Sequence, residues 1–182
     1  KGPEMGVIDT DICVIGAGSG GLSVAAGAVQ MGARVVLIEG AEMGGDCLNT
    51  GCVPSKALIA AANAAQALRA GFAGVPGREP SVDFAVVKDH VQAVIDEIAP
   101  VDSQQRFEGL GCTVLRAWAK FTGPREVQAG DSTVRARRFV IATGSRAFVP
   151  PIQGVDKVPF FTNETIFALR DRPAHLLVIG GG

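Results

Sequence analysis

Cys47 and Cys52 lie in the run Gly44-Gly45-Asp46-Cys47-Leu48-Asn49-Thr50-Gly51-Cys52-Val53-Pro54-Ser55-Lys56. Their neighbours are Gly, Asp, Asn and Thr, not the apolar residues that surround inert core thiols. Two thiols at this spacing can form a redox couple, bind a metal or serve structure. A structural zinc site wants four soft ligands, typically on paired C-x₂₋₄-C arms. The remaining candidates are Cys13 inside an apolar run, Cys112, and the isolated His90 and His175, which supply no second arm, so no metal site is assigned. Pro54 reads as the first residue of a helix that carries Ala57, Leu58, Ala61, Ala62, Ala65 and Leu68 to a cap at Gly71. Both thiols then stand near a helix N-terminus, where the dipole favours the thiolate that disulfide exchange requires.

A second constellation precedes the dithiol. Asp11-Ile12-Cys13-Val14-Ile15 is an apolar, β-branched run bounded by Gly16, the pattern of a buried strand. Gly16, Gly18 and Gly21 then give G-x-G-x-x-G at the mouth of a helix running to about Met31. The first glycine permits the tight turn, the second lets backbone approach a pyrophosphate, and the third lets helix and strand pack closely. The helix N-terminus offers unpaired N–H groups and a positive dipole end to phosphate, with Ser19 and Gly20 in that first turn. A second strand, Arg34 to Ile38, ends at Glu39, where a carboxylate can accept hydrogen bonds from ribose hydroxyls. A glycine triplet alone is a weak signal. Strand, helix and terminal acid in register make it a nucleotide site.

The stretch GGDCLNTGCVPSKAL resembles the active-site signature of the pyridine nucleotide-disulfide oxidoreductases, the family of dihydrolipoamide dehydrogenase, mercuric reductase and glutathione reductase. The resemblance covers essentially the whole chain: the glycine turn with Glu39, the dithiol run, Ala142-Thr143-Gly144-Ser145, and the final Val178-Ile179-Gly180-Gly181-Gly182. It implies a homodimeric flavoenzyme. By that resemblance Cys47 is the interchange thiol that attacks a disulfide, Cys52 is the thiol against the flavin ring, and Lys56 points its ammonium at the flavin. Gly16, Gly18, Ser19, Gly20, Gly21 and Gly45 would cradle the FAD pyrophosphate, Glu39 would bind the adenosine ribose, and Ala119, Thr143 and Gly144 would add contacts. Gly180 and Gly182 would open an NAD(P)H site. One position departs from the pattern: the family usually has threonine where Asp46 stands, and a carboxylate there would repel the pyrophosphate unless it points away.

The elements that must position these groups are those of an α/β protein, a Rossmann-like FAD-binding domain with a parallel sheet, helices on both faces and a small antiparallel β-meander. Composition agrees: 182 residues, 47% hydrophobic, 24 glycines and a net charge of −1. No basic excess points to nucleic acid. Glycine or charge interrupts every apolar stretch before membrane-spanning length, and the cysteine pattern is no disulfide scaffold, so the expected setting is cytoplasmic. After a Gly/Pro loop, Ser81 is expected to cap a helix with Phe84, Val87, Val91, Val94, Ile95 and Ile98 on its apolar face and Lys88, Asp89, Gln92 and Asp96 on the other. The helix breaks at Pro100 and resumes to Leu110. Cys112 to Arg116 reads as a strand, Lys120 to Arg138 as the meander, and Phe139 to Ala142 as a return to the parallel sheet. Arg135, Arg137 and Arg138 are expected to be a solvated face of a short edge strand. Trp118, beside Ala119, fits either the adenine site or simple packing.

His175 to Gly182 is expected to be a new strand, Leu176 to Ile179, entering a second glycine turn. The expected division is therefore an FAD domain over 1–150, a connecting segment over 151–174, and the start of an NAD(P)-binding domain over 175–182, the chain being an N-terminal fragment inactive on its own with NAD(P)H. Among family members the Val53 to Leu58 run is closer to dihydrolipoamide dehydrogenase and mercuric reductase than to glutathione reductase. The expected substrate is a small disulfide or dithiol, alternatively a thiol-reactive metal ion. The reading from another class is a non-catalytic nucleotide-binding module with a structural or metal-binding dithiol.

Overall fold

The computed structural model describes residues 6–180. Six strands, β1 (Val7–Ile15), β2 (Val35–Glu39), β3 (Thr113–Arg116), β4 (Ala119–Gly123), β5 (Glu126–Ala129) and β6 (Ser132–Ile141), form one sheet in the order β3-β2-β1-β6-β5-β4. β1 runs parallel to both neighbours, with Val14 opposite Leu37 on one side and Val140 on the other. β3 extends the parallel part beside β2, while β4 and β5 add an antiparallel arm to β6. The β-branched runs of β1 and β2 are buried because they occupy the interior of the sheet.

Helices α1 (Ser19–Gln30), α2 (Gly45–Asn49), α3 (Cys52–Ala70), α4 (Phe84–Ile98), α5 (Gln104–Leu110) and α6 (Asn163–Ile166) complete the described chain. Leu22 and Ala25 of α1 and Phe107 of α5 bury against Val14, Val35, Leu37 and Val114. On the alternate side chains of the same strands, Cys13, Val36 and Ile38 meet Val127, Ala129, Val134 and Ala136. Fully burying one such Val, Leu or Phe stabilises by about 1.5–3 kcal/mol, so the sheet interior anchors the domain. No helix among the described residues is long and apolar enough to cross a membrane.

Four expectations are corrected. The meander and the returning strand do not divide between Arg138 and Phe139, because β6 is one continuous strand that pairs with β5 at its start and with β1 along its length. Arg135, Arg137 and Arg138 therefore sit on an interior strand; their side chains are exposed, and Arg135 pairs with Glu126 at 3.0 Å and Arg137 with Asp11 at 3.7 Å. Asp83, not Ser81, caps α4, its carboxylate accepting from the amides of Ala85 and Val86. Residues 176–179 form no strand, and Leu177 is 78% exposed. A strand exists only where its N–H and C=O groups find a partner, and among the described residues none lies beside this run.

Candidate cofactor and dithiol site

β1 ends at Ile15 and the chain must turn at once into α1. Gly16 makes that turn at φ +104°, and a Cβ there would stand 2.2 Å from the Ala142 carbonyl oxygen. Gly21 packs onto the turn so closely that a Cβ would lie 1.8 Å from the Gly16 carbonyl oxygen. Gly18 is the N-cap of α1 and no side chain caps it, so the first-turn amides face outward without an intrahelical acceptor. Ser19 and Gly20 are exposed there.

Three other stretches converge on this turn. The Gly44 amide donates to the Ala17 carbonyl at 2.9 Å, and Gly45 lies against Gly18, where a Cβ on Gly45 would be 2.7 Å from the Gly18 Cα. The Glu39 carboxylate at the end of β2 accepts from the Ala17 amide at 2.5 Å and from the Ala41 amide at 2.7 Å. Each of its oxygens keeps a further lone pair for a hydroxyl donor. The Ala142 amide donates to the Ile15 carbonyl at 2.8 Å, which sets the exposed Thr143 and Gly144 alongside Gly16.

Ala119 opens β4, and the residue before it approaches the same corner. The Trp118 indole lies over Gly40, where a Cβ would meet its Cδ2 at 2.6 Å, yet the side chain remains 79% exposed. Arg116 fixes the loop beneath by donating to the Ala41 carbonyl and lying 3.9 Å from Glu42. Open amides at a helix start, a Cβ-free turn and a carboxylate at the strand end are the donor set that a dinucleotide's pyrophosphate and ribose require. The residues present fit FAD.

The thiols are carried by α2 and α3, which begin against that cradle. Cys47 is half-buried in α2, Cys52 is exposed as the first residue of α3, and both are free thiols. α3 thus starts ahead of Pro54, which is tolerated because the first-turn amides have no intrahelical acceptor to lose. Asn49 locks α2 by donating to the carbonyls of Met43 at 3.0 Å and Gly45 at 2.9 Å. Asp46 accepts from the Thr50 hydroxyl at 3.4 Å, so its carboxylate turns along its own helix. Lys56 is exposed one turn after Cys52.

Position at a helix start is not the only influence on Cys47. Its thiol is pushed above the ordinary value, first by its hydrogen bond to Cys52, then by burial and by charge on Cys52, with Asp102 adding in the same sense. Cys47 therefore holds its proton more tightly beside its neighbour. Gly180 stands apart from the site in exposed chain, where a Cβ would meet nothing within 4 Å, and Gly182 lies outside the described residues. The contacts of Arg116 and Trp118 and the charge of Asp102 were not visible from spacing; only the adjacency of Trp118 to Ala119 hinted at one of them.

Residues 10–182 match the family profile described as pyridine nucleotide-disulphide oxidoreductase, and the chain belongs to that family. The family is FAD-binding. A mercuric reductase from Streptomyces lividans is 36% identical over 94% of this chain and 38% of its own length. A dihydrolipoyl dehydrogenase from Thermus scotoductus is likewise 36% identical, over 94% of this chain and 37% of its own length. The chain thus spans little more than a third of the length of these relatives. Among solved structures, the flavoprotein disulfide reductase RclA from Escherichia coli, as its Cu(II) complex, superposes with a TM-score of 0.73 at 22% identity, over 88% of this chain and 34% of that one. That likeness shows the fold.

Proposed function

We propose that this chain binds FAD along the Gly16–Gly21 turn, Glu39 and Thr143–Gly144, and uses Cys47 and Cys52 to relay electrons in an NAD(P)H-linked dithiol–disulfide oxidoreductase. The observation that carries the reading is the junction of Gly45 with Gly18, which puts the start of the dithiol-bearing helices against the phosphate cradle. Bound FAD supplies two-electron exchange between a nicotinamide and the thiol pair. The chain's own residues do the rest. Lys56 brings positive charge to the flavin side of Cys52. Cys47, once deprotonated, attacks one sulfur of a substrate disulfide and the other sulfur leaves as a thiolate. Cys52 then attacks Cys47, releasing the second substrate thiol and closing a Cys47–Cys52 disulfide; the two protons of the pair pass to the substrate thiols.

The substrate we favour is a small disulfide of the lipoamide type. A second reading, a thiophilic metal ion such as Hg(II), is supported by the mercuric reductases among the relatives and by the soft-ligand character of the pair. Residues 175–182 would begin a second nucleotide unit, and the working protein would be a cytoplasmic homodimer. Mixing the reduced protein with oxidised lipoamide, removing the small molecule by desalting and counting the thiols left on the protein tests the reading: two protein thiols should disappear from the wild type and none through this route from Cys47→Ser. An unchanged count, or equal loss in Cys47→Ser, contradicts it.

A further inference from the structure

A cleft runs between α4 and the segment 163–170, away from the glycine turn. Its larger lobe is about 370 Å³ and its smaller about 190 Å³, and Lys88, Gln92, Phe167 and Ala168 line both. The larger is enough for on the order of ten waters' worth of liquid volume. The smaller lobe reaches Asn49, the last residue of α2, and Thr50 just after it, both between Cys47 and Cys52 in the chain. Lys88 is only 4% exposed, a rare state for an unpaired lysine.

The acids of the cleft are already committed. Asp89 is 2.5 Å from Arg170, Asp96 accepts from the Gln92 amide at 2.9 Å, and Glu164 is 3.1 Å from Arg146. Among the described residues none lies within 4 Å of the Lys88 ammonium, which sits 5.5 Å over the Phe167 ring. A ring face compensates a partly desolvated ammonium only in part. Burial first, and then the charge of Arg170, press the Lys88 pKa down, as expected where two cations share a site lacking a free anion. Arg170 still has N–H donors beyond the nitrogen it gives to Asp89.

We propose that this cleft binds a small oxyanion, a phosphate or carboxylate group, held by the Lys88 ammonium with Arg170 as the second positive charge. Val91, Ile95 and Phe167 offer apolar footing to whatever carries that group, and occupancy would brace the loop between the redox cysteines. The proposal is independent of FAD binding.

Calorimetric titration of the protein supplied with saturating FAD, which fills the glycine turn, with sodium phosphate at pH 7, against chloride of equal ionic strength, tests it. Wild type and Lys88→Arg should show one saturable event, at least tenfold weaker in Lys88→Met and unchanged in Lys120→Met, whose lysine is exposed in β4. Absence of saturable binding in the wild type, or undiminished binding in a folded Lys88→Met, overturns the proposal. A second measurement needs no variant: phosphate should slow acetylation of Lys88, read by peptide mass spectrometry, at least threefold relative to Lys120. Equal rates with and without phosphate would also overturn it.

Discussion

The cysteines divide by surroundings. Cys47 and Cys52 sit where solvent and substrate can reach them, whereas Cys13 is fully buried in β1 and burial pushes its thiol up to about 12 from an ordinary 9.0. The folded state thus holds the Cys13 proton more tightly than the unfolded chain. Its contribution is complete below about pH 9 and is lost as the pH climbs toward 12, at up to about 1.4 kcal/mol per pH unit. Cys112, also raised by burial, adds in the same direction. Chemical unfolding at pH 8, 9 and 10 should show stability falling with pH in the wild type and a shallower fall in Cys13→Ala; equal slopes would refute the assignment. At this scale the sequence exposed residues whose spacing carries their chemistry, such as Gly16, Glu39 and the dithiol. It hid Lys88 because residue type outweighed position: Phe84, Lys88, Val91 and Ile95 follow the i, i+4, i+7, i+11 pattern of one helix face, but a lysine reads as solvent.

The start of α4 shows how an element's boundary is chosen between neighbours. Ser81 and Asp83 are both good capping types. Asp83 wins because its carboxylate lies 3.1 Å from the Ala85 amide and 3.2 Å from the Val86 amide. Asp83→Ala should cost about 1 kcal/mol in chemical unfolding, while Ser81→Ala should stay within about 0.5 kcal/mol; the reverse order would return the cap to Ser81. Other boundaries failed in the reading for reasons that are not local. β6 continues past the meander because β1 lies beside it from Thr133 to Ile141, and no propensity reveals a partner strand more than a hundred residues away in sequence. The run 176–179 has strand composition and, among the described residues, no strand beside it. By contrast α1, α3 and the break at Pro100 were legible, since glycine and proline act on the chain's own backbone.

Over the whole molecule, a sheet ordered β3-β2-β1-β6-β5-β4 draws four separated stretches of sequence to one corner: the glycine turn, Glu39, the dithiol helices and Thr143–Gly144. The parallel α/β class was legible because its strands are continuous apolar runs separated by helices. The position of Trp118 over Gly40 was not, because it depends on the chain crossing back from β3 toward the end of β2. The account's central claim is that the cradle and the dithiol are one device. The visible absorption spectrum of the protein supplied with FAD, before and after a mild dithiol reductant, tests it most directly. The account predicts bound oxidised-flavin bands and, on reduction, a new long-wavelength shoulder from the Cys52 sulfur against the ring, absent in Cys52→Ser. Bound flavin without that shoulder, or with a shoulder that survives in Cys52→Ser, would contradict it.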